Sequence, residues 1–222
     1  MGLAELQLAQ ADREAVTANR LVLDRGIVEG RIVYGVNTGF GALCTTAVLR
    51  QDLQRLQRNL IISHAAGSGP LAEAAIVRLM LAAKARNLAL GHSGVRPELL
   101  DALLVLLKED ALPEVPIMGS LGASGDLAPL AHLSLALIGE GFVRHRGQRK
   151  SATQFWAELA LTPQVLEAKE GLALINGTQF MQAVGFASAI KAAAIAHWAD
   201  AAGTASLLAY DGMPSPFEER VH

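Results

Sequence analysis

Between residues 171 and 209 the chain carries only two formal charges, Lys191 and Asp200. This stretch is Ala-rich and apolar on nearly every helical face, so it predicts a helical run from Gly171 to about Tyr210 that needs neighbours on most sides. Its first part, GLALINGTQFMQAVGFASAI (171–190), is free of charge over about the length that spans a bilayer. Asn176, Thr178, Gln179, Gln182 and Ser188 would be costly in lipid. The expectation is therefore a helix buried among helices, with no membrane segment. The remaining residues are too few to cover such a helix, which points to oligomerisation or to a second, covering polypeptide.

Helical periodicity also dominates upstream, and β-branched alternation is scarce. Helices are expected over Leu3 to about Leu23, Arg50 to Ser63, Leu71 to Leu90, Arg96 to Glu109, and Asp126 to Ile138. Ser93, Gly94 and Pro97 separate the third from the fourth, and Gly139 and Gly141 stop the fifth. FVRHRGQRKSA (142–152) is the best strand candidate, a short hairpin turning at Gly147. The expected fold class is mainly α, with a minor short β-hairpin and no firm domain boundary.

Composition excludes several classes. A chain that is 51% apolar and 18% charged is not disordered, and a formal net charge of −2 leaves no basic surplus for neutralising phosphates. Cys44, the single cysteine, permits neither an internal disulfide nor a thiolate cluster. The opening MGLAELQLAQADREAV has no apolar signal core. These features predict a cytoplasmic protein that binds neither nucleic acid nor membrane.

The single motifs are weak. The six histidines (64, 92, 132, 145, 197 and 222) show no HExxH and no paired spacing with carboxylates, so no metal site is expected. Gly67, Gly69 and Ala72 in GSGPLA imitate a dinucleotide fingerprint, but Pro70 interrupts it and the preceding LQRLQRNLIISH reads as helix. No GxxxxGK is present. GASGD falls short of GxSxG, because its second glycine comes one residue early for a nucleophile elbow. Taken alone, GSLGASGD (119–126) reads as a small-residue turn with Asp126 capping the helix that follows.

Four motifs in order change that reading: YGVNTGFG (34–41), NLIISHAAGSG (59–69), GSLGASGDLAPLAHLSLALIGEG (119–141) and KEGLALINGTQ (169–179). Together they resemble the aromatic amino acid ammonia-lyases, most closely the histidine-specific branch, from about Val33 to His222. The resemblance implies a helical domain whose prosthetic-group loop leads into long bundle helices, starting at about 171–210. Residues 1–222 would then be an ammonia-lyase-like N-terminal region without the C-terminal half of the family fold.

In that family an Ala-Ser-Gly tripeptide, here Ala123-Ser124-Gly125, cyclises to 4-methylidene-imidazol-5-one, so no external cofactor or metal is implied. The Gly125 amide nitrogen must reach the Ala123 carbonyl carbon, which a residue without Cβ allows. Water lost from the new ring and then from the Ser124 side chain leaves an exocyclic methylene. The electrophile addresses a weakly acidic β-proton and a poor leaving group by covalent capture.

The resemblance assigns the β-proton to Tyr34, whose ordinary phenol pKa near 10 would need lowering or coupling. Gly35, Gly39 and Gly41 would keep that loop able to close over substrate. Asn176 would hydrogen-bond the ring and the substrate, and Gln179, one turn later, would support it. Ser63-His64 is the pair seen in histidine-specific members, with His64 facing the substrate imidazole. The implied reaction is elimination of ammonia from L-histidine to trans-urocanate; a phenylalanine or tyrosine lyase, or an aminomutase, is the nearest competitor.

Family members continue beyond PSPFEERVH, and their second half brings an arginine, a tyrosine and a glutamate to a site shared among subunits of a homotetramer. Tyr34 also lies nearer the start than is usual, implying a shortened first segment. The alternative from another class is a non-catalytic helical assembly module, or half of a split enzyme.

Overall fold

The computed structural model describes residues 7–41 and 46–221. Cys44 and His222, and the expected helix start at Leu3, lie outside the described residues. The chain divides into two compact units, Met1–Ala183 and Val184–His222.

The first unit is mainly helical: α1 (Gln10–Val28), α2 (Leu53–His64), α3 (Ala74–Ala89), α4 (Pro97–Lys108), α5 (Leu127–Leu135), α6 (Ala152–Glu158) and α7 (Glu170–Ile175). Helix α8 (Gln179–Ala209) begins in this unit. Helix α1 runs past the expected end at Leu23 because an Arg20–Asp24 ion pair one turn apart (2.8 Å) bridges the charged DR step. Helix α3 starts later than expected because Leu71 belongs to a strand, β1 (Ser68–Leu71).

The core is built from apolar stripes at helical spacing. Met80, Leu81 and Leu88 of α3, Leu99, Leu103 and Leu106 of α4, and Leu130 and Leu133 of α5 are all fully buried. Trp156 of α6 closes one side, its indole N–H donating to the Ala136 carbonyl at 2.7 Å. Truncating any of these leucines to alanine removes apolar burial worth about 2–5 kcal/mol.

The expected hairpin forms as β4 (Phe142–His145) and β5 (Gln148–Ser151), turning at Arg146-Gly147. A third strand, β2 (Leu112–Pro113), adds antiparallel to β4. A separate pair joins β1 to β3 (Pro116–Met118), with Ser68 opposite Met118 and Leu71 opposite Pro116. None of β1, β2 and β3 has the alternation that marks a strand in sequence.

The continuous helix expected from Gly171 is corrected by the structure. It breaks after Ile175: Asn176 is extended (φ −87°, ψ 108°) and α8 restarts at Gln179. In the second unit most described residues from Val184 to Ala209 are exposed, with Phe186, Ile190, Ile195, Trp198 and Leu208 among them. Within this chain the stretch is not the buried helix its composition suggested. Among the described residues, no helix is long and apolar enough to cross a membrane.

Candidate active site

The four sequence motifs meet through backbone contacts that only small residues permit. Pairing of β1 with β3 brings Gly67 against Gly119, where a Cβ on Gly119 would stand 3.0 Å from the Gly67 Cα. At the far end of the 119–126 loop, Gly125 lies on Gly177 of the INGTQ segment. Its φ is +97°, and a Cβ there would collide with the Gly177 carbonyl oxygen, so no other residue fits. The Tyr34 turn docks on α7 instead, with Gly35 (φ +72°) seated on the Leu172 side chain. The GSLGASGD loop is thus held between the His64 and Asn176 segments, while the Tyr34 turn rests on the helix that leads into Asn176 and, through Val36, on Leu53 and Ala168.

Within the loop, Ala123 and Ser124 are exposed and Gly125 is half-buried. Asp126 is fully buried and begins α5, but its carboxylate does not cap that helix as the sequence suggested. Oδ1 accepts from the Ser120 hydroxyl (2.7 Å) and Oδ2 from the Met181 amide (2.9 Å), while the Asp126 amide donates to the Gly177 carbonyl (2.7 Å). The carboxylate therefore caps the first turn of α8, one helix further along, and anchors both ends of the loop to the α7–α8 break.

Helix α7 is clamped by buried polar groups from its neighbours. Gln57 of α2 accepts from the Leu172 amide (3.2 Å), and Gly171 lies so close that a Cβ would stand 2.7 Å from the Gln57 carbonyl oxygen. Lys84 of α3, fully buried, donates to the carbonyls of Ala173 (3.1 Å) and Asn176 (3.5 Å). Burial pulls its pKa down to about 7, against the opposing charge of Asp126. Arg96, before α4, meets the fully buried Glu170 through Nε (2.9 Å) and Nη2 (2.8 Å), and this bond holds the arginine pKa above its usual range. Arg20 of α1 donates to Ala168 (2.9 Å) just upstream.

Asn176 is exposed at the break, with its amide bonded to Leu172 (2.9 Å). The expected helical face shared with Gln179 does not exist, because the extended backbone at Asn176 separates them. Gln179 is buried and its amide folds back over Gly177; its Oε1 has no hydrogen-bond partner.

At the C-terminus of α2, His64 is half-buried and Ser63 exposed. His64 Nδ1 stands 2.9 Å from the Leu60 carbonyl, which can only accept, so Nδ1 carries a proton and Nε2 is the ring nitrogen left to face other groups. The Ser63 hydroxyl also donates to Leu60 (3.1 Å) and lies 3.2 Å from Nδ1. Tyr34 is 53% exposed, in edge contact with Phe40 (6.1 Å between ring centroids). Its turn is fixed by Asn37, which accepts from the Val33 amide (2.8 Å) and donates to Arg31 (2.7 Å). Gly41 ends the described part of this segment.

Three contributors escaped sequence reasoning. His132 Nε2 accepts from the Gly67 amide (3.0 Å), and burial lowers its pKa, which favours the neutral acceptor this bond requires. Lys84 and Gln57 are the others; a lysine and a glutamine on otherwise apolar helical stripes were the available signals. Two cavities of about 610 and 620 Å³ are lined by other residues, the first by Arg20, Arg50, Arg96 and Glu167 among others, and the second within the C-terminal unit. The candidate residues Tyr34, Ala123, Ser124 and Asn176 instead lie on open surface. Among the described residues, no three His, Cys, Asp or Glu side chains gather as they would around a metal.

Several known proteins are similar to this chain. The histidine ammonia-lyase of Myxococcus xanthus is 46% identical over 99% of this chain, and that of Shouchella clausii 44% identical over 97%. The chain spans about 43% of the length of each, aligned with its N-terminal part. The crystal structure of histidine ammonia-lyase from Trypanosoma cruzi superposes with a TM-score of 0.88 at 36% identity, covering 97% of this chain and 41% of that one. A tyrosine aminomutase from Streptomyces globisporus superposes over 82% of this chain and 34% of its own, with a TM-score of 0.77 and 39% identity. The sequence model for aromatic amino acid lyases matches residues 2–222, and the chain belongs to that family.

Proposed function

We propose that this chain carries the self-processing loop and part of the substrate site of a histidine ammonia-lyase, which eliminates ammonia from L-histidine to give trans-urocanate. The observation that carries the proposal is Gly125. It adopts a glycine-only conformation directly after the exposed Ala123-Ser124 pair, at a seat fixed by Gly177 and Asp126. These residues fit the cyclised group, since the one position that must lack a Cβ is the one the fold leaves no room for.

Cyclised, Ala123-Ser124-Gly125 would supply an electrophilic methylene that withdraws electrons from the bound amino acid. The chain's other residues bind and move protons around it. Asn176, at an exposed break, presents a carboxamide to ring and substrate. His64, with Nδ1 committed to Leu60, offers Nε2 as acceptor to an imidazole N–H. Tyr34 takes the β-proton, its turn held by Asn37. Gln179, buried against Gly177, supports the loop from below.

Histidine is favoured over the phenylalanine and tyrosine alternatives by the Ser63-His64 pair, and the histidine ammonia-lyase structure covers more of this chain at a higher TM-score than the aminomutase does. We read the site as one completed by assembly in the cytoplasm, as a homotetramer or with a polypeptide that supplies the remaining part of the family fold. The exposed apolar residues of 184–209 support this, and the same observation favours a helical assembly module as the second reading.

Intact-mass measurement tests the proposal: purified, folded protein should be lighter than its sequence by two waters. A full unmodified mass in folded protein overturns the enzymatic reading and leaves the assembly module. Urocanate absorbance on adding histidine then measures turnover, and His64→Leu should reduce it at least tenfold, the loss of one substrate hydrogen bond. Undiminished turnover in that variant would defeat the histidine assignment.

A further inference from the structure

Lys84 is the buried titratable group for which the chemistry above has no use. It stands on the core face of α3 between Leu81 and Leu88, both fully buried. A lysine is among the residues least often found fully buried, and leaving one there unpaired is costly. Its neighbours are not other side-chain partners but two backbone carbonyls, Ala173 in the last turn of α7 and Asn176 at the break. These carbonyls belong to a helix C-terminus, where acceptors lack intrahelical donors and a positive group is favoured. The charge acting on Lys84 is that of Asp126, whose carboxylate holds Ser120 and Met181 and whose amide holds Gly177.

We propose that Lys84 is a positioning residue for loop 119–126: by tying the C-terminus of α7 and the Asn176 carbonyl to α3, it fixes the α7–α8 break on which Gly125 must rest for ring closure. This rests on the self-processing reading above and adds a residue that does not touch the tripeptide. The chain of contacts is short. Lys84 holds the Asn176 carbonyl, the next residue is Gly177, and Gly177 forms the seat of Gly125. Helix α7 has only six residues and cannot hold its own C-terminus rigid. Without the lysine, both the Ala173 and Asn176 carbonyls lose a buried donor, and the Gly177 seat loses one of the ties that hold it beside Asp126.

The test compares the 222-residue chain with Lys84→Met, Lys84→Arg and a control, Leu81→Ala, which disturbs the same helix but keeps the lysine. Two measurements are made on each: amide hydrogen exchange, resolved by segment, and intact mass. The expected result for Lys84→Met is exchange at least about tenfold faster in 120–126 and 176–182 than in wild type, with the β4–β5 hairpin unchanged. Lys84→Arg, which keeps charge and donors, should recover most of the protection, and Leu81→Ala should not show the loop-selective pattern. The two-water deficit should be complete in wild type and reduced at least about fivefold in Lys84→Met after equal incubation.

Unchanged exchange in those segments, or acceleration spread evenly over the first unit, overturns the positioning role, as does the same loop-selective pattern in Leu81→Ala. A wild-type mass without the deficit refutes the self-processing reading and, with it, the ring-closure part of this proposal; the exchange data still decide whether Lys84 holds the break. If Lys84→Met does not fold, Lys84→Gln, which keeps a donor without the charge, is read by the same criteria.

Discussion

Lys84 also sets a measurable dependence of stability on pH. Burial takes its pKa from 10.5 to about 7 in the folded chain, with Asp126 opposing part of the shift. Between about pH 7 and pH 10 the unfolded chain therefore holds one proton that the folded chain has given up. Unfolding free energy should rise with pH across that window by about 1.4 kcal/mol per pH unit. The destabilisation is fully present below about pH 7 and disappears as pH approaches the unfolded value; over the whole interval it is on the order of 5 kcal/mol.

Lys84→Met keeps much of the side-chain length and removes the titration. The difference in stability, wild type minus variant, should shift toward wild type by about 1.4 kcal/mol for each pH unit between about 7.5 and 9.5. Urea unfolding at three pH values measures it, followed by tryptophan fluorescence. Trp156 is 1% exposed and reports on the first unit, whereas Trp198 is already 75% exposed and changes little. Every other titrating group is common to both chains and cancels in the difference. Parallel pH profiles for wild type and variant would show that the folded lysine stays charged throughout, and would refute the lowering of its pKa by burial.

Two further outcomes follow from the packing. Gly125→Ala places a Cβ on the Gly177 carbonyl at φ +97°, so the variant should lose about 1–3 kcal/mol of stability and show no two-water deficit; full processing would contradict the seat described here. Arg96→Met leaves the fully buried Glu170 without its cation, and urea denaturation should register a loss of about 3–5 kcal/mol, with Glu170→Gln in the same chain recovering part of it.

The sequence carried the helices whose apolar residues repeat at helical spacing, because that pattern is local. The strand pair β1–β3 was hidden, since SGPL and PIM have too few residues and too little alternation to announce a strand. Helix α6 was legible in principle: S-A-T-Q is a capping box, and Ser151 and Gln154 form both of its bonds. The break at Asn176 was misread because the long apolar, helix-forming runs on either side outweighed the turn signal of Asn176-Gly177. What interrupts them is Lys84 and the Gly125-Asp126 pair, which contact backbone groups of the break from two distant parts of the chain.

By itself, the sequence determined the helical class, the four ordered motifs and the Ala-Ser-Gly tripeptide within the third, because residue type and spacing suffice for these. Only the tertiary structure decided that Gly67 meets Gly119, that Gly125 rests on Gly177, and that the carboxylate of Asp126 caps α8 instead of its own helix. The reason is physical. Each of these contacts is made through a backbone carbonyl, a backbone amide or the absence of a side chain, groups whose partners are set by long-range chain crossing and leave no periodic trace in the residues between them.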